Sequence, residues 1–415
     1  VANTWIQPSI VAKEALRQLE NNLVMGRLVH RGYEDEWQQM SRGWKIGSTV
    51  TLKTPVYFRV KNGASMDEVE LREEDTSIVI NARKHVAWAV TSQQMTLDID
   101  KFSKRFIQPA MQALANHIDS TLLGLYTDVP NQVGTPGTTP NNVYTFLQAQ
   151  ARLTEEACPD DNRHCVIDPQ CQAKIADTYK ALFHQAIVGS AVRKGSLGNM
   201  LGGFNMYTSN NVSTHTNGTA MSGLTIQCDG SSSEGDTTLA IKSGGSSETF
   251  KHGDIFTIAA VNAVNPISGA DTGSSRQFVV DAAASMDGSG EVAALTCTPG
   301  TAPHQIYATG AGEKALPYQN VSAVPLADAV ITPVGTTGEQ YKTNLAFHGD
   351  AFALCMVPLA MPLSVSWGAQ ESYKGFTIRV VRDYTISSDT EYIRFDILYG
   401  VKTINPFLAC RIAGA

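Results

Sequence analysis

The chain has 415 residues, 43% of them apolar, and a formal net charge of −7, enough length and apolar content for two or three domains with a large core. No apolar run reaches the ~18 residues of a membrane span, and the opening VANTWIQPSIVAKEALRQLENN lacks the basic head and continuous apolar stretch of a secretory leader, so cytosolic synthesis is the expectation. Residues 205–345 hold twelve acids and five bases against twenty-seven of each elsewhere, so the acidic excess sits in one segment and no strongly basic patch marks a nucleic-acid reader.

The first forty residues mix a helical segment with polar stretches. From Trp44 the pattern changes to alternation: IGSTVTLKTPVYFRV places Val50, Leu52, Val56, Phe58 and Val60 as a strand does. Asn62-Gly63 is a hairpin turn signal. A densely charged run follows (Asp67, Glu68, Glu70, Arg72, Glu73, Glu74, Asp75), and then a second alternating run, SIVINARKHVAWAV. Residues 46–90 therefore read as a long two-stranded excursion with a charged tip. Such a hairpin is poorly stable alone and should lie on the same chain or on a neighbour.

The strongest helical pattern comes next. Ile107, Met111, Leu114, Ile118, Leu122 and Leu125 step by three and four and form one apolar face. Pro109 removes one bond of the helical ladder, which predicts a kink or break near Phe106. After the linker VPNQVGTPGTTPNN, residues 143–200 alternate helix, strand and helix, with HCVIDP as a short buried strand. RKGSLGNMLGGF then poses the question of a phosphate loop. Gly195, Gly198, Gly202 and Gly203 do not follow the dinucleotide spacing, no Lys-Ser/Thr follows the last glycine, and the stretch upstream reads as helix. The segment reads as a glycine-rich bend.

From about 209 to 342 the chain is rich in Ser, Gly, Thr and Ala. Short strands recur between turn clusters (GLTIQC, TTLAI, DIFTIAAVNAV, RQFVVDAA, EVAALTC), as in a small all-β barrel or sandwich. The mixed pattern then returns. NLAFHGDAFALCMVPL reads as strand then helix, and FTIRVVRDYTISSDTEYIRFDILYGVKTINP as two long strands around a Ser-Ser-Asp turn.

Chemistry is sparse. No Gly-x-Ser-x-Gly elbow and no His-Glu-x-x-His occurs. His348-Gly349-Asp350 offers half a triad, but adjacent residues rarely build one. Asp160-Asp161 reads as a cap or turn. Cys158, His164, Cys165 and Cys171 lack the Cys-x-x-Cys unit on which zinc sites build, and seven scattered cysteines read as reduced, buried thiols. No catalytic, cofactor or metal residue is assigned, and the chain is not read as an enzyme.

The order of these elements resembles a family. FIQPAMQALANHIDSTLL resembles a spine helix, RKGSLGNMLGGFNMYTSNNVSTHTNG the approach to an insertion, and FKHGDIFTIAAVNAVNP with RQFVVDAA the inserted domain itself. NLAFHGDAFALCMVPL and GFTIRVVRDYTISSDTEYIRFDILYG resemble the return into the body. Together they resemble the major capsid (coat) proteins of tailed bacteriophages, of the Salmonella short-tailed phage type with an inserted β-barrel domain. The resemblance implies the α+β fold of tailed-phage and herpesvirus shell proteins: an N-terminal arm (1–45), an extended loop (46–90), and a peripheral domain with the spine helix (91–132) completed by strands within 373–404. It further implies an axial domain beginning at 133–208, an inserted β-barrel-like domain (209–342), and a return through both domains (343–415).

The function implied is self-assembly, through hexamers and pentamers, into an icosahedral shell around the double-stranded DNA of a tailed phage. That implies a virion location after assembly in the bacterial host cytoplasm, portal and scaffolding partners, a decoration protein in some members, non-specific contact with packaged DNA, and no membrane or cofactor. The candidate subunit contacts are Asp67, Glu68, Glu70, Arg72, Glu73 and Glu74, placed against basic side chains of an adjacent subunit. The alternative is another virion structural protein, a tail tube or ring component.

Overall fold

The computed structural model describes residues 8–31, 49–53, 58, 60, 75–91, 103–179, 200–221, 225–245, 247–300, 304–308, 318–362, 367–387 and 390–415. The chain divides into two units: Val1–Leu52 with Ser77–Leu122 and Phe352–Lys402, and Lys53–Thr76 with Leu123–Ala351 and Thr403–Ala415.

The first unit is built on a five-stranded sheet. Phe376–Thr385 and Thr390–Thr403 form the long hairpin expected around the Ser-Ser-Asp turn, in register from Arg379 opposite Asp396 to Thr385 opposite Thr390. Trp367–Tyr373 extends one edge, and Ala82–Thr91 and Phe352–Met356 pair with Thr390–Thr403 on its other side. On one sheet face the alternation buries Phe395, Ile393, Val380 and Ile378, with Trp88 stacked 5.3 Å from Phe395 and 6.1 Å from Phe106. The helix Pro8–Asn22 lays Val11, Ala12, Ala15, Leu16 and Leu19 against Trp367–Tyr373 and Phe376–Thr385. Those positions recur at helical spacing, so one apolar stripe accounts for the packing.

The long helix bears out the expected break. Ser103–Ile107 is a π-helical turn and Gln108–Leu123 is α-helical. An α-helical bond from residue 109 to the carbonyl of Arg105 cannot form because proline has no N–H, and the wider π turn falls at that point. Ile107, Met111, Leu114, Ile118 and Leu122 are all buried, as their spacing predicts, whereas Leu125 falls in the 3-10 turn Gly124–Asp128 and is half-buried. Each of the buried residues contributes about 1.5–3 kcal/mol of apolar burial.

Two expectations are corrected here. The run SIVINARKHVAWAV is not one strand of an excursion. It divides at Ile80-Asn81 into Asp75–Val79, which forms a two-stranded sheet with Thr49–Lys53, and Ala82–Thr91, which joins the five-stranded sheet. Its second half is claimed by Thr390–Thr403, which offers ten residues in register from Tyr399 opposite Ala82 to Thr390 opposite Thr91. The stretch NLAFHGDAFALCMVPL is strand, 3-10 turn and strand (Gln340–His348, Gly349–Ala351, Phe352–Met356), not strand then helix. FALCM is a five-residue apolar run with every position buried, and such a run forms a fully buried strand as readily as a helical segment.

The second unit holds a mixed sheet and a barrel. The sheet runs in the order Gln132–Val133, Ala409–Ala413, Gln340–His348, Arg163–Ile167, Phe204–Thr208, Met200–Leu201, with Thr214–Thr216 also paired to Gln340–His348. All residues of Arg163–Ile167 and Ala409–Ala413 are buried. The helix Val143–Glu155 contributes Phe146, Ala149 and Leu153 to its core, and Pro169–Tyr179 contributes Cys171 and Ile175. Gly202 (φ 57°) and Gly203 (φ 81°) make the two-residue turn between Met200–Leu201 and Phe204–Thr208. Both need positive φ, as a tight hairpin of this kind requires, so the end of the glycine-rich segment is a bend.

The barrel closes six strands in the order Thr238–Ser243, Glu291–Thr298, Asp271–Val280, Ile255–Val264, Val330–Pro333, Ile226–Cys228. Its interior is filled by Leu239, Ile241, Phe256, Ile258, Phe278, Val280, Leu295 and Ile331. Phe256 and Phe278 face each other in register and stack at 5.5 Å. Closure leaves no unpaired sheet edge, which is how so small an all-β element holds its shape.

Candidate functional site

Within the second unit, charges and amides fasten the barrel to the mixed sheet. Arg276, on the barrel strand Asp271–Val280, pairs with Glu156 at the end of the helix Val143–Glu155 at 2.5 Å, with side-chain exposures of 1% and 3%. Its guanidinium also lies over the Phe407 ring, 4.5 Å from the centroid. Burial pulls the Arg276 pKa down, and the Glu156 carboxylate opposes that shift. Beside it, Arg152 donates to the Asn131 side-chain oxygen (3.3 Å) and to the Ser275 carbonyl (3.2 Å). Gln277 and Gln132 exchange two bonds: Gln132 N–H to Gln277 Oε1 (2.7 Å) and Gln277 Nε2 to the Gln132 carbonyl (2.9 Å).

A second buried group lies further along the joint. Arg411, from the fully buried strand Ala409–Ala413, donates to the carbonyls of Gly253 (2.6 Å) and Thr127 (3.2 Å). His215 Nε2 is 2.9 Å from Asp254 Oδ1, and its Nδ1 is 3.1 Å from the Tyr126 hydroxyl. Asp254 also accepts the backbone N–H groups of Gly218 and Lys251. Burial holds the His215 pKa below its ordinary value, opposed by the hydrogen bond to Asp254, and burial raises that of Tyr126. In a catalytic triad an Asp–His pair orients a nucleophile. Here the third member is the buried Tyr126 hydroxyl, and the bonds tie Asp254, beside the barrel strand Ile255–Val264, to His215 and Tyr126.

The first unit carries a different cluster on its sheet. Asp396, with a fully buried side chain, faces three arginines. Arg379 Nη2 and Nε reach Oδ2 at 2.6 and 3.2 Å, Arg394 Nε reaches Oδ1 at 2.8 Å, and Arg83 Nη2 stands 3.8 Å from Oδ1. Register explains the meeting: Asp396 lies opposite Arg379 on one side and opposite His85, two residues from Arg83, on the other.

The sequence-derived contact residues Asp67, Glu68, Glu70, Arg72, Glu73 and Glu74 lie outside the described residues. Cys158, Cys165 and Cys171 are buried in the core of the second unit, and burial pushes the Cys171 thiol up to about 12. His164 is turned to Asn162 (2.8 Å) and packs between Tyr207 and Phe347. Among the described residues no group of three or more His, Cys, Asp or Glu could hold a metal ion. His348 Nδ1 and Asp350 are 3.6 Å apart, and Asp160, in an exposed turn, pairs with Arg163 at 2.9 Å. The buried arginines Arg276, Arg379 and Arg411 belong to no catalytic or metal-binding motif. Their signal was present as a lone arginine in an apolar strand: ACRIA, FTIRVV, RQFVV. Such an arginine must find a partner, since an isolated buried charge is prohibitive.

A family model described as P22 coat protein, gene protein 5, matches residues 2–412. A major capsid protein of Acyrthosiphon pisum secondary endosymbiont phage 1 is 20% identical over 390 residues, 89% of this chain and 89% of that protein. Among solved structures, one from Mycobacterium phage Che8 is similar at a TM-score of 0.47 and 14% identity, over 94% of this chain and 90% of that one. The CUS-3 coat protein I-domain is similar at a TM-score of 0.20 and 25% identity, over 27% of this chain and 96% of that one.

Proposed function

The chain belongs to the P22 coat protein family, and from that premise we propose that it assembles with copies of itself into the closed icosahedral shell around the double-stranded DNA of a tailed phage. It is a phage major capsid protein. The observation that carries the reading is the family match from residue 2 to residue 412, which takes in the long helix, the five-stranded sheet and the barrel alike. The tail-tube or ring alternative has no observation of its own.

In this reading the barrel is the insertion placed at 209–342, and the five-stranded sheet with its long helix is the peripheral domain. The polar joint keeps the barrel in one orientation on the mixed sheet, so that it can be presented at a fixed place on every subunit. Assembly proceeds in the host cytoplasm with scaffolding and portal proteins, and the interior touches DNA through weak, sequence-independent contacts. The charged segment 67–75 meets basic side chains of an adjacent subunit. A shell subunit gains much of its stability from such contacts, so folding and assembly are linked by mass action.

The test is expression of the chain, alone and with the neighbouring phage genes, followed by negative-stain electron microscopy. Closed polyhedral shells are expected. Tubes, rings or a persistent monomer under every condition would overturn the reading.

A further inference from the structure

The barrel and the mixed sheet each have an apolar core, and charged and amide side chains make many of the contacts between them. Three histidines stand along this joint. His215, on the strand Thr214–Thr216, pairs with Asp254 at 2.9 Å and is hydrogen-bonded to the Tyr126 hydroxyl at 3.1 Å, with Tyr341, Lys251 and Arg411 around it. His252, 45% exposed, stands 3.6 Å from Asp128. His304 follows the barrel strand Glu291–Thr298. Its carbonyl accepts the Gly300 N–H at 2.6 Å, and its ring centroid is 4.9 Å from that of Phe407. Phe407 leads into the sheet strand Ala409–Ala413, and the Arg276 guanidinium lies over the same ring at 4.5 Å.

The charges facing the three histidines differ. His252 faces a carboxylate, so a proton there adds an attraction. His215 has Asp254 on one side and the positive charges of Arg411 and Lys251 on the other, and burial outweighs the pull of Asp254. His304 has the Arg276 cation as its charged neighbour. Glu156 is already paired with Arg276, and Arg152 adds a further positive charge behind it. A proton on His304 therefore places a second cation beside the first without a carboxylate of its own. Burial first, and Arg276 after it, pull the His304 pKa from 6.5 to about 4.

Opening the polar joint relieves such a repulsion with less loss of apolar contact than unfolding either core. We propose that the joint is an acid-released latch: it holds the barrel to the mixed sheet near neutral pH, and protons taken up at His304 and His215 free the barrel while the barrel and the sheet each stay folded. The latch belongs to the single chain, so it operates whether or not copies assemble. A histidine whose pKa is lower in the closed joint than in the open one leaves the joint at full strength above about pH 6.5. It weakens the joint as pH falls, until the effect levels off near pH 4. From pH 7 to pH 5, His304 alone should raise the open population about twentyfold. The exposed pair of His252 with Asp128 opposes this only weakly.

Hydrogen exchange of the unassembled full chain at pH 7 and pH 5, corrected for the intrinsic pH dependence of exchange, tests it. The joint is read at Gln132, whose N–H is held across it by the Gln277 side chain at 2.7 Å. The two cores are read at the sheet strand Arg163–Ile167 and the barrel strand Asp271–Val280. Exchange at Gln132 is expected to rise about twentyfold or more on acidification, while both strands keep their protection. In His304→Gln the rise should shrink to a few-fold, and in the double variant with His215→Gln it should all but vanish. No rise at Gln132 would overturn the inference. So would an equal rise in both strands, because acid would then be unfolding the whole unit. An undiminished rise in His304→Gln would overturn it as well, since the proton would then act elsewhere. If His304→Gln does not melt cooperatively at pH 7, His304→Phe is read in its place, because its ring keeps an aromatic contact with Phe407. An undiminished rise in that chain overturns the inference, and a rise cut to a few-fold supports it.

Discussion

Arg276 and Glu156 lie 120 residues apart in sequence and close a 2.5 Å ion pair in which both side chains are almost fully buried. One belongs to the barrel and the other follows a helix of the mixed sheet, so the pair is one of the contacts that join the two apolar cores. Arg276 Nε and Nη2 find no acceptor among the described residues, and the Phe407 ring faces the guanidinium instead.

The pair is therefore expected to be costly to break and cheap to replace. Glu156→Gln leaves a buried, uncompensated cation and should destabilise the second unit by about 3–5 kcal/mol. The double substitution Glu156→Leu with Arg276→Met should come out near neutral, because replacing both charges with apolar groups removes the desolvation cost together with the attraction. Chemical denaturation of the unmodified chain, Glu156→Gln and the double variant checks this. A double variant as unstable as Glu156→Gln would mean that the charges themselves hold the joint.

His215 gives the joint a pH dependence of known sign. Burial holds its pKa below the ordinary 6.5, against the pull of Asp254. As pH falls below about 6.5 the unfolded chain binds a proton that the folded chain resists, so stability declines on acidification. The contribution of His215 is flat above neutrality. His215→Gln cannot take up that proton, and the difference in melting temperature between it and the unmodified chain should shrink from about pH 7 to pH 5. A difference that widened over the same range would show that the histidine is charged in the folded state.

Asp119, on the long helix, accepts the N–H groups of Val24 (2.7 Å) and Gly26 (3.0 Å) and so fixes the turn after the first helix. Its side chain is buried, and burial raises its pKa despite those bonds. Asp119→Ala orphans two donors and should cost the first unit about 1–3 kcal/mol for each that stays buried. Asp119→Asn keeps an acceptor and sheds the cost of a buried charge, so it should cost less than the alanine variant. Equal losses in denaturant titration would contradict that ordering.

All seven cysteines are buried, and burial pushes thiols up to about 11 at Cys228 and about 12 at Cys171 and Cys410. Thiolate, the reactive form, is then scarce at neutral pH. A colorimetric thiol reagent should find almost no reactive cysteine in the native chain and seven after denaturation. Rapid labelling of a native thiol would place at least one of them at the surface.

Much of the local structure was legible from the residues alone. The step of three and four from Ile107 to Leu122 named the buried face of the long helix, and Pro109 named the place where the helical path changes. Alternation and turn clusters named five of the six barrel strands, all but Val330–Pro333, and Gly202-Gly203 named a turn whose two positive φ values no other residue type adopts as readily. These are properties of neighbouring residues, and backbone geometry writes them into the sequence as a period.

The failures share a cause. Ala82–Thr91 looked like the return strand of a hairpin, and FALCM looked helical, because a short apolar or alternating run does not say which strand it will meet. Arg276 with Glu156, Arg411 with Gly253, and the three arginines on Asp396 were not legible at all. Local pattern determined the long helix, its buried face and most of the barrel strands. Only the tertiary structure decided which charges met, because electrostatic pairing acts through space between residues far apart in the chain and leaves no period along it.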